Sequence, residues 1–184
     1  PPQDFLCLAI LACTGARLDE VALLEWEQFE EGLSKAGKTV HWIDTTDAIV
    51  KNNPSRRLIP ILPKVAELIK QYPIGLNKKE PNRLFSWPKD ADGKAENKAS
   101  RDLMKHCRKI STDDDFAVHG LRHTVTTMLR IERMDWETRE FMMGRGGKGE
   151  GANYGKAVHI DGLLDMMRDL DTSFLDGQRA ITKQ

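Results

Sequence analysis

The sequence has few cysteines and no long hydrophobic run. Its three cysteines are an odd number without the regular spacing of a disulfide or zinc framework, which indicates the reduced, packed thiols of a cytoplasmic protein. No apolar run approaches the roughly 18 residues that a membrane span requires. The segment Phe5–Cys13 is too short for a span and lacks the basic leader and cleavage site of a signal peptide. The composition thereby argues against both a secreted disulfide scaffold and a membrane protein.

An excess of positive charge is also missing. The chain carries 28 basic and 28 acidic residues, so its formal net charge is zero. Proteins that hold nucleic-acid phosphates normally carry a basic excess. The balance therefore counts against a nucleic-acid partner, unless the positive charges cluster on one face or a more basic domain lies outside this sequence.

What is present fits one globular domain with its own core. The chain has 184 residues, of which 40% are hydrophobic and 30% charged, as is ordinary for soluble proteins. Because the first residues already run into an apolar helix, we expect a domain excised from a longer protein. The predicted class is mainly helical with a small antiparallel sheet.

The apolar periodicity places the expected elements along the chain. Helices are predicted over 4–13, 63–71, 97–110, 119–131, 135–143 and about 161–171. Strands are predicted over Thr39–Ile43, Asp47–Lys51 and Arg57–Leu62. Asp19 is the expected N-cap of a further short helix. Residues 73–99 are polar and predict a long surface loop with a short ordered piece at Leu84-Phe85.

Two arginine-bearing motifs and two single residues stand out in this frame. The first motif is Thr14–Glu20 (TGARLDE), and the second is the box His119–Thr124 (HGLRHT), which opens a helix. Lys51 lies in a turn before a strand, and Tyr154 follows the box by about 30 residues, behind a glycine-rich turn. In this order and spacing the set resembles the catalytic domains of tyrosine site-specific DNA recombinases of the phage-integrase type. The likeness covers nearly the whole chain and implies their catalytic-core fold.

The resemblance implies a role for each residue. Cutting a phosphodiester without a metal ion requires a nucleophile, a proton donor for the leaving oxygen and fixed positive charge for the phosphoryl oxygens. Tyr154 would attack phosphorus and form a 3′-phosphotyrosyl link. Arg17 and Arg122 would clamp the non-bridging oxygens. Lys51 would protonate the departing 5′-oxygen, and His119 would assist proton transfer at the tyrosine or orient the phosphate.

One position departs from the family pattern. Gly144-Arg145 stands where the family usually has Gly-His or Gly-Trp, nine residues before the tyrosine. Arg145 can donate hydrogen bonds to a phosphate, but its permanent charge prevents it from shuttling a proton. We assign it as a phosphate contact. Glu20 is the expected support behind the first arginine, and His123 is expected to pack or hydrogen-bond beside the site.

The resemblance also implies partners and organisation. The substrate would be double-stranded DNA, cut at attachment or recombination sites by a tetramer in a bacterial cytoplasm, at the nucleoid or in a phage-infected cell, without a cofactor. Residues 1–184 would form the catalytic domain, and an N-terminal DNA-binding domain would lie outside this chain. The segment 161–184, a C-terminal helix and tail, would either pack on its own core or be exchanged between protomers.

Two other functions are compatible with this sequence, and two local patterns resemble other kinds of site. A catalytically silent DNA-binding module of the same fold is motivated by Arg145 and the neutral net charge, and a type IB topoisomerase uses the same phosphotyrosine chemistry. His119 and His123 have the spacing of a metal site, but Gly120 stands where an H-E-x-x-H helix has its glutamate, and no third ligand is evident. Residues 144–149 satisfy G-x-G-x-x-G, but they follow a helical segment rather than a strand.

Overall fold

The computed structural model describes residues 2–46, 56–72, 78–109, 111–145, 156–170 and 172–175. Its architecture is the predicted one, helix-rich with a small antiparallel sheet. The helices are α1 (Pro2–Thr14), α2 (Leu18–Ala22), α3 (Pro63–Gln71), α4 (Glu96–Cys107), α5 (Gly120–Ile131), α6 (Trp136–Met142) and α7 (Lys156–Met166). The strands are β1 (Phe29–Leu33), β2 (Thr39–Asp44) and β3 (Leu58–Ile61).

Helix α1 is the central element of the core. It is apolar around most of its circumference, and it contacts α2, α3, α4, α5 and β3, as a helix without a polar face must. Cys7 and Cys13 are buried in it, which confirms the predicted packing of these two thiols. Burial raises the pKa of both, that of Cys13 to about 12, so neither is a reactive thiolate. In the ranges described, no helix is both long and apolar enough to cross a membrane.

The sheet has the antiparallel order β1-β2-β3. The predicted strands over Thr39–Ile43 and Arg57–Leu62 are confirmed as β2 and β3, whereas Asp47–Lys51 lies outside the described residues. Strand β1 was not predicted. Its sequence, FEEGL, contains no β-branched residue, and its pairing with the apolar strand β2 rather than its own propensity makes it a strand.

Helix α7 lies against the sheet of the same chain. It contacts all three strands and buries Ile160 and Leu163, while Met167 and Leu170 continue the apolar contact in the turns that follow. The helix begins five residues earlier than predicted, at Lys156, and ends at Met166. The exchange of this segment between protomers remains a prediction.

The segment between α3 and α4 is irregular but packed. Leu84, Phe85 and Trp87 are buried, so the ordered piece that the sequence predicted extends further than Leu84-Phe85. Arg83 is 1% exposed, and its guanidinium group donates hydrogen bonds to three other residues. It donates to the carbonyls of Ala22 at 2.6 Å and Trp87 at 2.9 Å, and to the Glu80 carboxylate at 2.9 Å.

The turn after α1 depends on Gly15. This residue has φ +64, and a Cβ placed on it would lie 2.9 Å from the Met143 methyl and 3.1 Å from a Val125 methyl. Gly37 has φ +73 with nothing within 4 Å of such a Cβ. Both glycines adopt a conformation that L-residues disfavour, but only Gly15 is also crowded.

We therefore expect Gly15→Ala to lower the free energy of unfolding by more than the matched variant Gly37→Ala. The left-handed conformation alone costs about 1–2 kcal/mol, and the contact with Met143 adds to it at position 15. Urea denaturation of both variants measures the difference. Equal losses would show that the close approach of α1 to Met143 is not as described.

Candidate active site

The first motif forms the turn between α1 and α2. Arg17 precedes α2 in an extended conformation. The carboxylate of Glu20 accepts the Arg17 backbone N–H at 2.9 Å and the Arg17 Nη1 at 3.2 Å. The prediction of Asp19 as N-cap is wrong, because Asp19 already lies inside the helix. The carboxylate at the third helical position instead reaches back to the residue before the helix.

Arg57 is a member of the site that the motifs do not indicate. Its side chain is 0% exposed. It donates from Nη1 and Nη2 to the two carboxylate oxygens of Glu20, at 3.0 and 3.2 Å, and from Nε to the carbonyl of Met142 at 2.8 Å. The only signal in the sequence is its place at the start of a strand, and charged residues in that place are usually exposed.

Helix α6 ends in a glycine-dependent turn that leads to Arg145. Gly144 has φ +60. The N–H of Arg145 donates to the carbonyl of Glu140 and that of Gly144 to the carbonyl of Phe141, both at 2.9 Å. This is the Schellman pattern, in which a left-handed glycine closes the helix end. Gly144 thereby sets the direction in which the chain leaves α6 and fixes the backbone of Arg145.

Three arginines from distant parts of the chain donate to three successive carbonyls of this turn. The pairs are Arg57 with Met142, Arg122 with Met143, and Arg17 with Gly144 at 3.1 Å. The last carbonyls of a helix lack partners within it and carry partial negative charge, so cations are favourable there. Arg122 also donates from Nη1 to the carbonyl of Gly15 at 2.6 Å. The end of α6 is therefore where both motifs meet Arg57, the residue that precedes β3.

Positive charge is concentrated at this point. The arginine cluster, which we define as Arg17, Arg57, Arg122 and Arg145, faces the carboxylate of Glu20 and that of Glu140, whose Oε1 lies 3.8 Å from Arg145 Nη1. Burial, followed by the other arginines, lowers the pKa of Arg122 to about 10, which still leaves it charged at neutral pH. Although the chain has no net charge, four of its 28 basic residues meet at this point.

Glu20 is charged although it is buried. Burial raises the pKa of this carboxyl, but the charge and hydrogen bonds of Arg57 and then those of Arg17 lower it below its ordinary value. Its side chain is 5% exposed. A buried carboxylate is tolerated only when cations and hydrogen bonds compensate its lost hydration, and both arginines supply them.

The two histidines of the second motif lie at the start of α5. Their rings are 5.3 Å apart between centroids and nearly perpendicular. Burial lowers the pKa of His119, and the neighbouring His123, Arg122, Arg145 and Arg17 lower it further. His119 is therefore neutral at neutral pH and is able to accept a proton. Within the described ranges, no group of three or more His, Cys, Asp and Glu side chains is placed to hold a metal ion.

The structure brings most of the predicted site residues together. Those that meet are Arg17, Glu20, His119, Arg122 and Arg145, with His123 beside His119. An open cavity of about 360 Å³ lies beside Arg17 and His119, and Asn97 and Ser100 of α4 also line it. Asp19, Glu96, Leu18 and Val118 complete the lining of this cavity.

Lys51 and Tyr154 lie outside the described residues, but the ends of their segments are placed. On the two sides of the segment that contains Lys51, the N–H and Oγ1 of Thr45 donate to the Arg57 carbonyl at 3.0 and 2.9 Å. The described residues on both sides of Lys51 are therefore bonded to each other at Arg57, a member of the arginine cluster. Tyr154 lies between Arg145 and the start of α7 at Lys156.

A family model, the phage integrase family, matches residues 3–145. The chain belongs to the phage integrase family. The matched region of this integrase-family domain includes both motifs and Arg145 and stops before Tyr154. Among curated proteins, no match is found.

Solved structures show the same fold. The crystal structure of XerA recombinase is similar with a TM-score of 0.56 and 13% identity, over 100% of this chain and 57% of that one. The Tn1549 transposon integrase in complex with circular intermediate DNA gives a TM-score of 0.50 and 15% identity, over 98% of this chain and 60% of that one. The integrase-family chain is thus a tyrosine recombinase-type domain that spans about three-fifths of the length of these solved chains.

The electrostatics of the site make a prediction for His119. Because Arg145 is one of the charges that lower the pKa of His119, Arg145→Gln is expected to raise it. Arg130→Gln removes a charge at the opposite end of α5 from His119, so it is the matched control and should leave the pKa of His119 nearly unaltered. Titration of the His119 Cε1–H resonance by NMR measures both. An unchanged or lower pKa in Arg145→Gln would contradict the placement of Arg145 beside His119.

Proposed function

We propose that this domain cleaves and rejoins DNA through a 3′-phosphotyrosyl intermediate at Tyr154, without a metal ion. The observation that supports the proposal most is the convergence of Arg17, Arg122 and Arg145 on the end of α6, from which the chain leads to the tyrosine. A phosphoryl group in transfer gathers negative charge on its non-bridging oxygens, and preorganised guanidinium groups stabilise that charge. Here the arginines take the place that metal ions hold in other phosphoryl-transfer sites.

The cleavage step uses the residues as follows. The Tyr154 hydroxyl oxygen attacks phosphorus and its proton passes to neutral His119. The bond from phosphorus to the 5′-oxygen breaks, and this oxygen takes a proton from Lys51. A 5′-hydroxyl of another strand then attacks the phosphotyrosyl group, and the same transfers run in reverse. Since the phosphodiester energy is kept in the intermediate, rejoining needs no nucleotide cofactor.

The second tyrosine of the chain is not suited to this role. The sequence contains two tyrosines, Tyr72 and Tyr154. Tyr72 is 7% exposed and packs against Phe85, and burial raises its pKa to about 12. A nucleophile must reach a phosphate and lose its proton, and the surroundings of Tyr72 oppose both. This leaves Tyr154 as the proposed nucleophile.

The proposed partners follow from the chemistry and the comparisons. The solved Tn1549 integrase structures contain circular intermediate DNA, and we extend double-stranded DNA as a substrate to this chain. Exchange between two DNA sites needs four active sites, so we propose a tetramer on DNA, with a further domain supplying the remaining DNA contacts. The site of action would be the bacterial cytoplasm, where chromosomal and phage DNA lie.

The matched tyrosines supply the test. Tyr154→Phe is expected to abolish the covalent adduct with a nicked suicide substrate of the protein's attachment site, because the nucleophilic oxygen is lost, while Tyr72→Phe keeps it. Denaturing gel electrophoresis detects the adduct, and a gel-shift assay checks that DNA binding survives both changes.

An adduct that persists in Tyr154→Phe would overturn the assignment. If the wild-type protein binds its site but forms no adduct, the chain is a silent DNA-binding module. If it relaxes supercoiled plasmid without sequence preference, it is a type IB topoisomerase rather than a recombinase.

A further inference from the structure

We propose that Arg57 is a positioning residue of the strand-transfer reaction, which holds Glu20 and the end of α6 in place so that Arg17, Arg122 and Arg145 meet one phosphate. This role rests on the proposed function, because it assumes that the domain transfers DNA strands. The contacts of Arg57 from which it is argued are those of the structure itself. Arg57 itself does not touch the phosphate, because its side chain is 0% exposed.

The first contact of Arg57 balances the charge of Glu20. Arg57 donates to both oxygens of this carboxylate, whereas the Arg17 side chain donates to one of them at 3.2 Å. The bidentate pair is the stronger geometry. With Arg57 present, the carboxylate has its main cationic partner in the interior. Without Arg57, the Glu20 carboxylate would be paired with Arg17 alone. The stronger pairing would hold the Arg17 guanidinium at Glu20 and keep it from binding a phosphate.

The second contact of Arg57 fixes the end of α6. Its Nε donates to the Met142 carbonyl at 2.8 Å, one residue before the carbonyl that Arg122 uses and two before the one that Arg17 uses. The buried Arg57 side chain therefore links Glu20, which holds Arg17, to the turn after α6 that carries Arg145. Small displacements of such groups are costly, since a shift of about 1 Å can reduce a rate about 100-fold.

The backbone of Arg57 is anchored as firmly as its side chain. Its N–H donates to Thr45 Oγ1 at 3.0 Å, and its carbonyl accepts from the N–H and Oγ1 of Thr45. Thr45 is 3% exposed. The position is therefore rigid on both sides, which a residue that aligns other groups requires.

The chain contains a matched control in Arg83. This arginine is 1% exposed and, like Arg57, donates to main-chain carbonyls and to a carboxylate. Its contacts join α2 to the segment after α3 rather than to α6. Arg57→Met and Arg83→Met each remove a buried guanidinium that bonds main-chain carbonyls and a carboxylate, although Glu80 is 34% exposed and Glu20 only 5%. Only Arg57 contacts residues that hold the proposed phosphate site.

The experiment compares the rate of adduct formation at saturating DNA with the affinity for DNA. At a temperature where circular dichroism shows both variants folded, Arg57→Met should form the adduct about 100-fold more slowly, with its Kd for DNA altered less than about threefold. Arg83→Met should keep the rate within about twofold. Arg57→Lys should recover part of the rate. Equal rates for Arg57→Met and Arg83→Met would overturn the proposal.

A double variant covers the case in which Arg57→Met does not fold. Glu20→Gln with Arg57→Met removes both buried charges, which proteins tolerate better than the loss of one partner. The Met142 carbonyl still loses its donor, so the double variant should also form the adduct slowly, by about tenfold or more. A wild-type rate in the folded double variant would contradict the positioning role.

A separate readout distinguishes failure of this inference from failure of the proposed function. Inorganic phosphate is titrated into the protein without DNA, and the guanidinium Nε–H resonances of Arg17, Arg122 and Arg145 are followed by NMR. In the wild type the three should shift with one dissociation constant, and in Arg57→Met this constant should rise about tenfold. An identical titration in both proteins would overturn the role of Arg57, even if the wild type formed no covalent adduct.

Discussion

The buried carboxylate of Glu20 is the interaction on which the rest of the site depends. Two arginines share it, Arg17 from the turn before α2 and Arg57 from the residue that precedes β3. A carboxylate that is 5% exposed would be costly without cations around it. Because Arg57 also bonds the end of α6, this one charge joins three elements that are distant in sequence.

The end of α6 converts this arrangement into a site. Gly144 closes the helix through the Schellman pattern, and the carbonyls left without helical partners attract three guanidinium groups. The unpaired carbonyls found at any helix end thus bring together here the positive charge that phosphoryl transfer requires. A net charge of zero is compatible with this, since the field at a site depends on the local arrangement and not on the sum over the chain.

The sequence predicted the parts of the site that belong to a motif. Arg17, His119 and Arg122 were indicated by their neighbours, and the structure places them together. Arg57 was seen only as the start of a strand, because a buried charge is recognisable only when its partners are known, and Glu20 and Met142 are far away in the sequence. The sequence predicted Asp19 as the capping residue of α2, but Glu20 bonds the backbone N–H before the helix. Both carboxylates lie in the first turn, so the sequence alone does not distinguish which of them forms this bond.

In the fold, too, the elements formed by local sequence pattern could be predicted, and those formed by contacts distant in sequence could not. The apolar helix α1 and the strands rich in β-branched residues could be predicted from periodicity. Strand β1 could not, because FEEGL becomes a strand through its partner β2. The burial of Trp87 was not predicted either, because its neighbours in the sequence are polar. The segment is held by Arg83, which bonds the Ala22 carbonyl of α2, and by Trp87, which bonds Asp102 of α4. The roles of Lys51 and Tyr154 remain predictions.

The proposed mechanism requires Arg17, Arg122, Arg145 and Tyr154 to act on one phosphate. A crystal structure of the wild-type protein with nicked attachment-site DNA and orthovanadate would test it most directly, because vanadate adopts the geometry of the phosphoryl group in transfer. We expect vanadium to be bonded to Tyr154 Oη, with Arg17 and Arg122 donating to its non-bridging oxygens and Arg57 still bonded to Glu20. Vanadium bonded to another residue, or placed away from Arg17 and Arg122, would contradict it.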